Sequence, residues 1–211
     1  MSSFTPQLLA GLALFALVSS ITPGPNNAML MASGANYGFV RTLPHLAGVA
    51  LGFMFLVACV GLGLGGLFEA WPQAHTVLKA AGVAYLLWLA WKIGQARGGP
   101  EAGAGEGRPF TFLQAAAFQW VNPKAWVMAV GALAAYLPPG RPLAGVAVVA
   151  GVFGLVNLPC VAAWTGFGVG LRRLLQRPGA LRVFNWTMAG LLALSTVPVL
   201  ADLLGDLRGA G

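Results

Sequence analysis

The feature that most constrains this chain is the length of its uncharged stretches. No Asp, Glu, Lys or Arg occurs between the N-terminus and Arg41, between Arg41 and Glu69, between Arg141 and Arg172, or between Arg182 and Asp202, and the stretch from Lys124 to Arg141 is nearly as long. A helix needs roughly 17 to 20 apolar residues to cross the hydrocarbon core of a bilayer. Charged residues make up only 8% of the chain and hydrophobic residues 58%, against roughly a quarter charged in a soluble domain. So few charges cannot coat a water-soluble surface, and the reading is an all-α membrane protein whose surroundings are the lipid bilayer. The net charge of +7 does not point to nucleic acid, because the basic residues are scattered or in one short group and form no stripe on a soluble face.

Hydropathy and helix breakers place six transmembrane helices at residues 7–31, 42–67, 75–93, 110–137, 142–169 and 182–201. The first is expected to be retained, since no basic residue precedes it and no small-x-small cleavage site follows it. Residues 95–109 are rich in glycine and charge and read as a flexible linker. They divide the chain into a first three-span repeat, 1–94, and a second, 110–211. The connections after spans one, three and five carry Arg41, then Lys92, Arg97 and Arg108, then Arg172, Arg173, Arg177 and Arg182. Lys79, Arg141 and Arg208 fall on the other side with Glu69, Asp202 and Asp206. Basic loops stay in the cytoplasm, so the linker is expected inside and both termini outside. Trp71 and Tyr136 then lie near the outer interface, and Tyr37, Trp91 and Trp186 near the inner one.

Three spans per half is an odd number, so a repeated half must lie upside down relative to its partner, a geometry that suits alternating access. Matches occur in the right order. Thr22-Pro23-Gly24-Pro25-Asn26 stands in span one and Asn122-Pro123-Lys124 in span four; Gly61, Gly63 and Gly65 end span two, and Gly166, Gly168 and Gly170 end span five. Ala81-Gly82 and Ala189-Gly190 mark spans three and six. The expected fold is two inverted three-helix repeats with broken first and fourth helices. Glycines four apart, Gly48 with Gly52 and Gly61 with Gly65, suit close helix packing.

The candidate substrate site follows from the breaks. Pro23, Gly24 and Pro25 interrupt a helix near membrane depth, and backbone freed there persists only where protein buries it or where it lines a wet cavity. Asn26 and Asn27 stand at the start of the second half-helix. Its amides favour a carboxylate, and the unwound carbonyls around Ser19 to Thr22 can take an ammonium; the alternative is a structural kink capped by asparagines. Asn122 and Pro123 form the matching element. Lys124, deep in an apolar run, can pair with a substrate carboxylate, carry a proton, snorkel to the interface or bind freed carbonyls. His45, beside Pro44, is a candidate proton carrier or an interfacial histidine. Gln119, Trp126 and Asn157 are candidate cavity-lining residues. The sequence calls for no catalytic residue, metal site or cofactor.

At these motifs the chain resembles the LysE/RhtB family of bacterial amino-acid exporters over essentially its whole length. The run Thr22 to Asn26 carries the resemblance most specifically, followed by Asn122-Pro123-Lys124-Ala125-Trp126, with Tyr37-Gly38-Phe39, Ala47-Gly48, Leu51-Gly52 and Tyr85 to Lys92 also similar. Within the family, the stretch Thr22 to Asn27 and Trp88-Leu-Ala-Trp91-Lys92 look closest to exporters of cysteine and O-acetylserine. The resemblance implies a multi-pass protein of the bacterial inner membrane that exports amino acids, driven by the proton gradient. A homo-oligomer is compatible with it. The competing readings are a passive channel, an accessory membrane subunit, and a thiol-electron carrier. The last needs paired cysteines at the breaks, where this chain has Asn26 and Asn122, and Cys59 and Cys160 lie in spans two and five. An intramembrane enzyme or ATP-driven pump is disfavoured, since no His-Glu-x-x-His, Gly-x-Ser-x-Gly or phosphate-loop motif is present.

Overall fold

The computed structural model describes residues 4–64, 72–95, 108–138 and 142–209, which among themselves form helices and no strand. The expected linker lies largely outside the described residues, as do Gly65 and Trp71.

Helix α1 (Pro6–Ile21) starts where Thr5 accepts from the Leu8 amide at 3.2 Å, with proline at the head of the helix. Proline suits that place because its missing N–H would have no partner there. The helix ends where Pro23 and Pro25 remove two donors: Thr22 and Gly24 are extended, and α2 (Pro25–Tyr37) restarts on Pro25 at 55° to α1. Gly38, at φ +84°, turns the chain directly into α3 (Phe39–Cys59), which runs on into a π-helical turn, Val60–Leu64, ended by Gly63 at φ +112°. Side chains other than glycine are strained at such positive φ. Helix α4 (Pro72–Gly94) has 23 residues, about 35 Å at 1.5 Å per residue.

The second half begins with α5 (Phe112–Val121), capped reciprocally by Thr111 and Gln114, and breaks at the extended residue Asn122 before α6 (Pro123–Tyr136). The long α7 (Pro142–Leu171) follows, then a 3-10 turn, Leu174–Gln176, α8 (Pro178–Leu194) and α9 (Val197–Gly209). The last span thus differs from its expected bounds. It starts earlier, on a helix-initiating proline, and is interrupted at Ser195 and Thr196, whose hydroxyls donate to the carbonyls of Leu192 and Ala193.

Three helical stretches, Phe39–Gly63, Leu143–Leu171 and Gly179–Gly205, are each long and apolar enough to cross a bilayer, and the bent pair α1–α2 makes a fourth. Large apolar side chains such as Val40, Leu155 and Leu143 point outward, as lipid contact requires.

Helix α7 holds the centre, packing on α1, α2 and α3, while α5 packs on α3 and α4 packs on α8 and α9. Each broken helix therefore leans on the long helix of the other half. Small residues set these crossings. A Cβ on Gly34 would collide with the Thr165 carbonyl and one on Gly168 with the Met31 carbonyl, so α2 and α7 touch backbone to backbone. On α3, a Cβ on Gly48 would meet the Phe112 carbonyl and one on Gly52 would lie 2.5 Å from Ala116 Cα. The Ala-Gly pairs of spans three and six do not share a role: a Cβ on Gly82 would lie 2.5 Å from the Val121 carbonyl oxygen, whereas one on Gly190 would meet open space. Phe53 of α3 and Phe153 of α7 stack edge to face at 5.2 Å in the core.

Candidate functional site

The two breaks meet. The Lys124 ammonium, at the head of α6, donates to the Thr22 carbonyl at 2.8 Å, the Thr22 hydroxyl at 2.9 Å and the Pro23 carbonyl at 3.2 Å. Carbonyls released by the prolines of the first half are thus held by a cation of the second. Gly24 is where the lysine chain passes: a Cβ there would lie 2.7 Å from Lys124 Cδ.

Asn26 and Gln119 make a second link between the halves. Asn26 Nδ2 donates to Gln119 Oε1 at 2.8 Å, Gln119 Nε2 donates back to Asn26 Oδ1 at 3.1 Å, and Gln119 also donates to the Ala115 carbonyl. Asn27 turns the other way, donating to the Ser20 and Thr22 carbonyls, both at 2.8 Å. The indole of Trp164 reaches the Ile21 carbonyl at 3.0 Å, and that of Trp126 reaches the Trp120 carbonyl at 2.8 Å. The carbonyls at the end of α1, expected to receive an incoming ammonium, are therefore bonded by Lys124, Asn27 and Trp164. Buried main-chain groups must find partners, and here the protein supplies them.

Between the breaks lies a cavity of about 20 Å³, walled by Ser20, Asn26, Asn27, Asn122, Lys124 and Asn157 among others. That is room for about one water molecule and not for an amino acid, so this conformation is closed at the centre. Asn122 caps α6 by accepting from the Lys124 amide at 3.2 Å. Asn157 Nδ2 donates to the Ser20 hydroxyl at 3.1 Å, and its Oδ1 is buried without a partner. Two half-helix N-termini, those of α2 and α6, face this space; both carry positive partial charge. Gln119 and Trp126 stand behind the wall, each holding other groups in place.

His45 belongs elsewhere. It is 2% exposed and lies against Phe110 in a tilted ring contact with centroids 5.2 Å apart, on the wall of a larger cavity of about 480 Å³ between α2, α3, α4 and the start of α5. It sits in the second turn of α3, facing inward. Among the described residues no cluster of His, Cys, Asp or Glu could hold a metal ion, and Cys59 and Cys160 are free thiols.

Ser20 and Trp164 carry no signal in the sequence, being one hydroxyl and one indole in apolar runs. Asn36 was findable. Asn26, Ser33 and Asn36 are spaced i, i+7, i+10, one face of a helix. Asn36 forms a buried pair with Asn185 of α8, its Nδ2 donating to Asn185 Oδ1 at 2.9 Å.

A family model described as LysE type translocator matches residues 17–197. The cysteine/O-acetylserine efflux protein of Escherichia coli (strain K12) is 33% identical over 201 residues, covering 92% of this chain and 98% of that protein. The protein of the same description from Shigella sonnei (strain Ss046) matches to the same extent. No solved structure matches the chain. Since the matched region runs from within α1 to the start of α9 and includes both breaks, the chain belongs to the LysE type translocator family.

Proposed function

We propose that this protein is a secondary transporter that exports amino acids or small amino-acid metabolites across the cytoplasmic membrane by alternating access, driven by the proton gradient. Six spans form two inverted halves, 1–94 and 110–211, joined by a cytoplasmic linker at 95–109, with both termini outside. Substrate binds at the breaks, on Thr22 to Asn27 and Asn122 to Lys124. The cross-packing of each broken helix on the long helix of the other half supports the inversion, and the relatives described as cysteine/O-acetylserine efflux proteins support the substrate class.

One observation carries the reading: Lys124 of one half holds the Thr22 and Pro23 carbonyls of the other. A substrate carboxylate drawn toward the two helix N-termini competes for that ammonium. As Lys124 lets go, the carbonyls it leaves become acceptors for the substrate ammonium, so a zwitterion replaces an internal contact with two of its own. Such an exchange couples occupancy to the relation between the halves. Lys124 and His45 are the candidates for coupling to protons.

Counterflow of labelled cysteine, O-acetylserine, threonine, homoserine, leucine and lysine in proteoliposomes tests the reading. Saturable counterflow of at least one small neutral amino acid is expected, reduced by Asn26→Ala and Asn122→Ala in protein that still inserts. Absence of counterflow for all six solutes, or wild-type flux in both variants, rejects the transporter or the site respectively.

A further inference from the structure

The 480 Å³ cavity is not part of the site at the breaks, yet its size falls in the range of small-molecule pockets. Ser33, Asn36 and Tyr37 of α2 form one wall, and His45, its ring 5.2 Å from that of Phe110, forms another. Lys92 and Arg108 stand exposed at its rim, Lys92 with its ammonium 5.4 Å above the Trp88 ring. Among the described residues no Asp or Glu lines it. Both nitrogens of His45 are buried without a hydrogen-bond partner. Buried polar groups in that state are uncommon in folded proteins and call for an explanation.

The α2 wall of the cavity carries Ser33 and Asn36 on the same helix face as Asn26, with the buried side chains of Met29 and Leu30 between them and the break. Asn36 lies about 15 Å along the helix from Asn26 at 1.5 Å per residue. The Asn26–Gln119 amide pair bridges α2 and α5 at the break end of that face.

We propose that this cavity is a loading site, separate from the breaks, that captures a small neutral amino acid by its carboxylate and turns cationic amino acids away. It rests on the exporter reading, which places the rim in the cytoplasm. Arg108 offers a planar fork of donors suited to a carboxylate, and Lys92 offers a second cation. An ammonium side chain such as that of lysine meets the like charges of Lys92 and Arg108, and repulsion of that kind is an effective source of discrimination. His45, on the cavity wall, supplies one donor and one acceptor to the part of the solute that enters deepest.

The test uses the full chain in lipid nanodiscs with radiolabelled O-acetyl-L-serine as the probe and unlabelled L-lysine and L-serinamide as competitors. Saturable binding is expected, displaced by neither competitor at concentrations where unlabelled O-acetylserine displaces it fully. A Lys92→Gln, Arg108→Gln double variant, altered only at exposed rim positions, should bind at least tenfold more weakly. His45→Gln, checked for folding by size-exclusion chromatography, should also bind more weakly. Arg177→Gln, an exposed arginine outside the cavity, controls for charge and should bind as wild type. Wild-type affinity in the double variant, equal competition by lysine, or no saturable binding overturns the loading site. Counterflow in the same preparation separates the readings, since flux with undiminished binding in the double variant leaves the exporter standing and removes only this site.

Discussion

The Asn26–Gln119 pair offers the sharpest test of how the halves are joined. Gln119 is fully buried and Asn26 half-buried on the wall of the small cavity. Replacing Asn26 by Leu strips the donor from Gln119 Oε1 in a dry place, where an orphaned polar group costs about 1–3 kcal/mol. Replacing Gln119 by Leu orphans Asn26 instead, which a cavity water can partly compensate, so the expected loss is smaller, about 1 kcal/mol. Replacing both leaves two apolar side chains of similar volume and no orphan, a change that is often nearly neutral. The double variant should therefore lose less than the sum of the singles, with a coupling energy of about 1–2 kcal/mol, near the upper end of what interhelical hydrogen bonds in membranes give. Unfolding in mixed micelles by increasing SDS mole fraction, followed by far-UV circular dichroism, measures all four proteins. Losses that add to within about 0.5 kcal/mol refute the claim that these two amides act as a pair.

Lys124→Met removes three donor contacts to Thr22 and Pro23; at about 0.6 kcal/mol for each interhelical bond the same unfolding assay should show a loss of about 2 kcal/mol, together with reduced counterflow. Unchanged unfolding and flux would return the lysine to a snorkelling role. Gly34→Ala drives a methyl group into the Thr165 carbonyl and is expected to destabilise by about 1–3 kcal/mol, while Gly190→Ala, in open space, stays within about 0.5 kcal/mol of wild type; equal melting of the two variants in fluorescence-detected size-exclusion would contradict the backbone contact. Trp164→Phe keeps the ring and loses the donor to the Ile21 carbonyl, for an expected loss of about 1 kcal/mol in the SDS titration.

Much of this architecture is written locally. Uncharged runs mark the helices because hydrocarbon tolerates no free charge, and Pro23, Pro25 and Pro123 mark the breaks because a proline lacks the donor a helix needs. Each of those statements involves residues within a turn or two of one another, so a reader of the chain finds them without coordinates. The start of α8 at Pro178 was missed for the opposite reason: the arginines around it resemble a loop by charge alone.

What satisfies the breaks is another matter. Lys124 reaches Thr22 across a separation of 102 residues, Asn26 reaches Gln119 across 93, and Trp164 reaches Ile21 across 143. Nothing in the local sequence distinguishes a lysine that binds freed carbonyls from one that awaits a substrate or snorkels to the interface, and all three were open. The choice was made by the glycine contacts that bring the helices together, which set which donors lie within reach of which carbonyls. The same packing sealed the centre to the volume of a water molecule and left His45 beside a wider chamber. Broken main chain in lipid obliges some polar partner to come; only the folded arrangement decides which one arrives.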